Sequence, residues 1–191
     1  MHSKNLGIKN TRKIKVRKVQ TLKEFKRLKK FFPQAQKVVL DEGPLKAKLM
    51  FVGEAPGKNE DLQGRPFVGR AGRFLDKILE QVGINRKKAF ITSVVKFLPA
   101  KRTPNKKEIA LCLPYTLKQI KAIKPKVICL LGNVALNALL SKKMRISKVH
   151  GKKFIKEGII YFPTFHPAAA MRNKEMARLM KRDLRKLKFV L

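Results

Sequence analysis

Residues Gly53 to Gly72 read GEAPGKNEDLQGRPFVGRAG and hold three carboxylates, Glu54, Glu60 and Asp61, in a chain with only 12 Asp and Glu. Carboxylates in a loop rich in Gly and Pro can act as general acid or base, or orient a water. They can also cap helices or pair with lysines. For Asp61 the capping or pairing job is the better account; for Glu60 both remain open. Pro56 and Gly57 let the backbone approach a flat ligand closely. Phe67, between Pro66 and Val68, is either core or a platform for an aromatic ring. A second stretch, FHPAAAMR from Phe165 to Arg172, places His166 directly before Pro167, which restricts its backbone. A lone histidine is more often structural than chemical. One at the end of a strand, facing the same rim as the first loop, is a candidate proton or hydrogen-bond donor.

These residues need elements to hold them. Lys48–Val52 and Val127–Leu131 are apolar runs of strand length, and Ala89–Val95 is rich in β-branched residues. Lys153–Ile155 and Ile159–Phe162 read as a hairpin around Glu157-Gly158, the second arm continuing as strand four. Helices are expected at Arg70–Val82, ended by Gly83, and at Gly132–Leu140 and Asn173–Leu187. Another is expected at Lys106–Ile123, interrupted or restarted near Pro114. An earlier helix starts at Thr21, with Leu22, Phe25, Leu28 and Phe32 on one face and Pro33 at its end. Thr164–Met171 reads as a loop. Strands alternating with helices predict a parallel sheet covered on both faces. Ligands then bind in loops after the strands, here Gly53–Gly69, Ser93–Pro104 and Thr164–Arg172. The first loop lacks the Gly-Lys-Ser/Thr ending of a phosphate-binding loop and the glycine spacing of a dinucleotide site.

The 191 residues suffice for one domain: a basic arm at 1–20 and a globular unit at 21–191. The charge balance is extreme, 47 Lys and Arg against 12 Asp and Glu, a formal net charge of +35. It points to a polyanionic partner, nucleic acid before anionic membrane, with a solubility effect as the bland alternative. The arm is either a solvated tail or a phosphate-binding or localisation segment. Ala168–Ala170, Met171 and Arg172 suit entry into a DNA minor groove, with Met171 as an apolar wedge, or form an ordinary first turn of helix. Phe67 could then stack on a base. Cys112 and Cys129 are the two cysteines, with no CxxC, so neither a disulfide framework nor a zinc site is expected. No signal-peptide or membrane-spanning run is present, and a reducing, intracellular setting near the nucleoid is expected.

Taken in order, GEAPG, GRPFVGRAG, ITSVVKF, LLGNVA and FHPAA resemble the motifs of the uracil-DNA glycosylase superfamily, family 4 above all, over about Val38 to Leu187. The resemblance implies a three-layer α/β/α sandwich with a central four-stranded parallel sheet. It implies a monomeric base-excision repair enzyme that hydrolyses the N-glycosidic bond of a uracil flipped out of DNA. Glu54, Ala55 and Pro56 would line the uracil edge, Phe67 would stack on the ring, and His166 would donate a hydrogen bond to O2. Glu54, Glu60 and His166 are the catalytic candidates, Glu60 for orienting the water, since Ala55 occupies the position of a water-activating Asp in other branches. Arg65, Arg70, Lys101, Arg102, Met171 and Arg172 are the candidates for holding DNA. A sliding clamp is a conceivable further partner.

Two positions depart from the family. Ser93 stands where the family has an Asn whose amide pairs with the uracil edge. The lost pairing is worth about 1–3 kcal/mol, roughly tenfold to a hundredfold. Activity on uracil should be weaker, or the base should be hypoxanthine or xanthine instead; a catalytically weak DNA-binding protein is the reading from another class. The family also holds a [4Fe–4S] cluster on four cysteines, of which only Cys112 remains. Phe97 replaces one ligand, and the CxxC would fall near Arg27 and Lys30. No cluster and no other cofactor are expected, with Phe97 filling part of the vacated space.

Overall fold

The computed structural model describes residues 25, 27–101, 103–140 and 143–190. The basic arm at 1–20, the start of the first predicted helix with Leu22, and Arg102 lie outside them. Phe25, Leu28 and Phe32 are buried, as the predicted apolar face requires, and residues 27–29 are helical.

The sheet is built from β1 (Leu49–Gly53), β2 (Phe90–Ser93), β3 (Val127–Leu131), β4 (Phe154–Lys156) and β5 (Ile159–Thr164). Its order is β2-β1-β3-β5-β4. Four strands are parallel, and β4 adds an antiparallel edge through the predicted hairpin. The turn of that hairpin is left-handed at both Glu157 (φ 52°) and Gly158 (φ 72°), the conformation that joins two twisted strands by two residues. Strands β1, β2 and β3 are buried along their whole length. Continuous burial explains the uninterrupted apolar sequences of β1 and β3, since a parallel sheet is covered on both faces; β2 ends on the buried hydroxyls of Thr92 and Ser93.

The connecting helices are α1 (Lys58–Gln63), α2 (Arg70–Val82), α3 (Lys106–Ile123), α4 (Gly132–Leu140), α5 (Ile146–Val149), α6 (Pro167–Ala170) and α7 (Lys174–Lys188), with a 3-10 turn at Arg86–Lys88. Helix α2 packs with α6 and α7, whereas α4 packs against β1, β3 and β5. Right-handed crossovers place α2 on one face of the sheet and α3 and α4 on the other. The result is the expected three-layer sandwich, with a fifth strand added at its edge.

Local signals account for several boundaries. Gly83 ends α2 in a left-handed cap (φ 71°). Asn105 and Glu108 form a capping box at the start of α3, and Asn173 caps α7. Three expectations need correction. Helix α3 runs unbroken through Pro114; the lost backbone donor is offset by buried residues on both sides, Cys112 and Thr116. Within the segment read as a loop, Pro167–Ala170 forms one turn of helix capped by His166. Within the first loop, Lys58–Gln63 is helical.

Candidate active site

The carboxyl ends of β1 and β3 flank the point where the strand order reverses, the usual place for a ligand in an open α/β sheet. Gly53, the last residue of β1, is in register with Ser93, the last of β2. A Cβ on Gly53 would lie 2.5 Å from Phe67 Cζ and 3.3 Å from Ser93 Oγ. Only a hydrogen there lets the Phe67 ring lie over the strand end. Phe67 has a left-handed backbone (φ 53°), rare for a bulky residue and a form of strain found at ligand sites. It is held by Gly72 on α2, where a Cβ would sit 1.8 Å from the Phe67 carbonyl oxygen. Backbone cannot yield to that clash. Gly72→Ala is expected to destabilise by about 3 kcal/mol and to displace the Phe67 ring, read as a lowered thermal midpoint with shifted Phe67 ring signals.

His166 completes the rim. Its ring centroid lies 6.2 Å from that of Phe67. Gly132, opening α4 with φ 89°, approaches so closely that a Cβ would meet His166 Cβ at 2.9 Å. His166 Nδ1 accepts from the Ala168 amide at 3.2 Å. The neutral ring therefore carries its proton on Nε2. Burial pushes its pKa down to about 4, so the imidazole is neutral at ordinary pH and offers an uncharged N–H donor.

The Glu60 carboxylate is engaged at both oxygens. Oε2 accepts from Gly57 N at 3.1 Å, and Oε1 from Gly69 N at 2.6 Å. These amides begin α1 and α2, so Glu60 ties two helix starts together. Asp61 is buried and accepts from the amides of Gln36 and Lys37, which gives it a structural task. Glu54 and Ala55 are half-buried and Pro56 is buried. The carbonyls of Gly53 and Glu54 accept from Val94 and Val95, each at 3.0 Å, which joins the first and second loops.

Ser93 is buried at 7% exposure. Under its turn lies a residue the sequence reading did not single out. Lys96 is 1% exposed, and its ammonium donates to Thr92 Oγ1, the Ser93 carbonyl and Gln119 Oε1. Burial outweighs the attraction of Asp41 and lowers its pKa to about 8. A lysine in an otherwise apolar run, SVVKFL, was the available signal.

The DNA-contact candidates Arg65, Arg70, Lys101 and Arg172 are exposed, and Met171 is half-buried. Arg65 is ion-paired with Glu42.

The cluster implied by the resemblance does not fit the residues at its place. A cubane needs four thiolates, and the whole chain has two cysteines. Among the described residues, no three or more His, Cys, Asp or Glu side chains are grouped to hold a metal ion. The segments that would supply ligands meet instead through aromatic rings. Phe97 stacks on Phe32 (4.8 Å, 20°) and meets Phe25 edge-on (6.2 Å, 80°). Phe25 packs on Tyr115, 4.8 Å away and one turn after Cys112. Cys112 is fully buried, and burial raises its thiol pKa.

The carboxyl rim of the parallel sheet thus presents an aromatic ring, a neutral histidine and a buried hydroxyl. The uracil DNA glycosylase superfamily profile matches residues 40–188. Type-4 uracil-DNA glycosylases are among the similar proteins. That of Sulfurisphaera tokodaii is 43% identical over 77% of this chain and 71% of its own. That of Saccharolobus solfataricus is 41% identical over 91% and 82%, and that of Thermotoga maritima 44% over 79% and 81%. The chain belongs to the uracil DNA glycosylase superfamily and falls with its type-4 branch.

Proposed function

We propose that the protein removes uracil from DNA by hydrolysing its N-glycosidic bond, leaving an abasic site. The observation that carries this is the pairing of Phe67 and His166 at one rim, with the histidine proton on Nε2. The flipped base lies over Phe67, with its edge along the backbone of Glu54, Ala55 and Pro56. As the bond from C1′ to N1 stretches, the electron pair moves onto the base. His166 Nε2–H meets the charge growing on O2. The base leaves with the electron pair of the broken bond, water adds to C1′, and the proton that water loses passes through solvent to the departed base. Glu60 shapes this wall by holding Gly57 and Gly69; a role in orienting the water rests on the lone pairs those two bonds leave on its oxygens. Glu54 is the other carboxylate at the base edge. Arg65, Arg70, Lys101, Arg172 and Met171 hold the flanking strand. Affinity should therefore fall steeply with salt. One copy carries all these residues, which suits a monomer acting where the cell keeps its DNA. No iron–sulfur cluster enters the reaction.

The test is incubation with oligonucleotides carrying one uracil, hypoxanthine or xanthine, followed by alkaline cleavage of abasic sites. Breaks at uracil are expected; breaks only at another base would replace uracil with that base. Ser93 motivates the other arms, because one hydroxyl cannot present a donor and an acceptor side by side. Ser93→Asn is expected to raise uracil excision by about tenfold to a hundredfold, the worth of the missing contact. An unchanged rate would show that the amide is not what limits the reaction.

A further inference from the structure

Asp183 is a buried carboxylate that the reaction just described does not use. It lies in the middle of α7 at 0% exposure, in a stripe with Met180, Leu184 and Leu187. Its Oδ2 accepts from Thr164 Oγ1 at 2.8 Å and from His150 Nδ1 at 2.9 Å. Its Oδ1 is buried without a partner among the described residues. Gly151 closes over that oxygen: a Cβ there would lie 2.5 Å from Oδ1.

The groups around this carboxylate hold three consecutive residues. Gly151 N–H donates to the Pro163 carbonyl at 2.8 Å. Asp183 takes the Thr164 hydroxyl, and the His150 ring packs 4.6 Å from that of Phe165. The next residue is His166. A leucine at position 183 would complete the apolar stripe, and burying a carboxylate with an empty oxygen is far less favourable than burying a hydrocarbon. A costly polar group that fixes the approach to a reacting side chain suits a functional role better than a stabilising one.

We propose that Asp183 is a positioning residue of the glycosylase: through Thr164 and His150 it sets where His166 Nε2 stands against the leaving base, without touching the base itself. This rests on the role given to His166 above.

The experiment compares the full-length protein with Asp183→Leu, Asp183→Asn and Thr164→Val. Single-turnover excision, DNA affinity, thermal midpoint and the imidazole 15N signals of His166 are measured. Asp183→Leu is expected to keep the melting point and to bind DNA within about twofold of wild type. Its excision rate should fall about tenfold to a hundredfold, and His166 should change from a single Nε2–H tautomer to a mixture titrating nearer 6.5. Asp183→Asn should lose less, because its carbonyl still accepts. If Asp183→Leu does not fold, Thr164→Val removes one hydrogen bond at constant shape and carries the same comparison. Unchanged rate and unchanged His166 signals would overturn the proposal, as would a rate loss that only follows the melting point. If wild type excises none of the tested bases, the proposed activity fails, while the 15N signals still decide whether Asp183 sets His166.

Discussion

His166→Ala is expected to lower single-turnover excision by about 10²–10³-fold, the usual worth of one donor aimed at a developing anion. DNA affinity should change little, since phosphate contacts dominate it. Alanine also removes the cap of α6, so His166→Asn is the sharper variant. Its side-chain oxygen can still accept from Ala168 N–H, but it lacks the Nε2 donor. It should melt near wild type and lose nearly as much rate as alanine. A variant with full rate would remove His166 from the mechanism.

The same residue sets an acid limit. Its pKa is depressed to about 4 by burial. From neutral pH down to about 5 the ring stays neutral and its part in the rate should stay level. As pH falls through about 4, a proton on Nδ1 ends its acceptance from Ala168 N–H, and the turn that holds the ring is lost. Stability follows the same sign. The unfolded chain takes this proton first, near the ordinary 6.5. The contribution of His166 to stability is therefore complete above 6.5 and lost progressively as pH falls toward 4. A pH series of excision rate and thermal midpoint, with His166→Asn as the reference lacking this group, checks both statements.

Phe97→Ala is expected to destabilise by about 3–5 kcal/mol, the range for truncating a buried phenylalanine. For a protein of this size that lowers the thermal midpoint by roughly 6–20 °C. Phe97 is 1% exposed and joins Phe25, Phe32 and, through Phe25, Tyr115. Cutting it opens a cavity where three chain segments meet: the described start of the chain, the loop after β2, and α3. Ring packing joins these segments, and two cysteines are too few to hold a cubane. The wild-type protein should therefore be colourless near 400 nm and keep its activity and melting point in strong chelator. A brown protein whose melting point falls on iron removal would overturn this. Phe97→Leu separates volume from ring stacking: it should lose less than alanine, because most of the apolar volume remains.

Much of the fold was legible before any coordinates. The runs LMFV and VICLL are apolar throughout, and AFITSVV is apolar but for Thr92 and Ser93, because both faces of a parallel sheet are covered. Gly83, Asn105 and Asn173 mark helix ends through local chemistry that needs no distant partner. The five motifs named the family, and Phe67 and His166 lay in loops that follow strands. The polar helix α1 was not legible. KNEDLQ has no apolar period, and its stability comes from Glu60 reaching Gly69 and Asp61 reaching Gln36 and Lys37. Asp183 could have been suspected as an acid on the apolar stripe of a basic helix, and Lys96 as a cation in an apolar run.

The sequence by itself determined the order of the main strands and longer helices and the small number of cysteines, because each is written in neighbouring residues. Only the tertiary structure decided which side chains meet. Phe67 lies over Gly53, His166 carries its proton on Nε2, Glu60 is bound by two helix starts, and Asp183 stands behind the histidine loop. The physical reason is range. A strand or a cap is set by contacts within a few residues, whereas a hydrogen bond from Asp183 to Thr164 exists only once the core has packed the helix against the sheet.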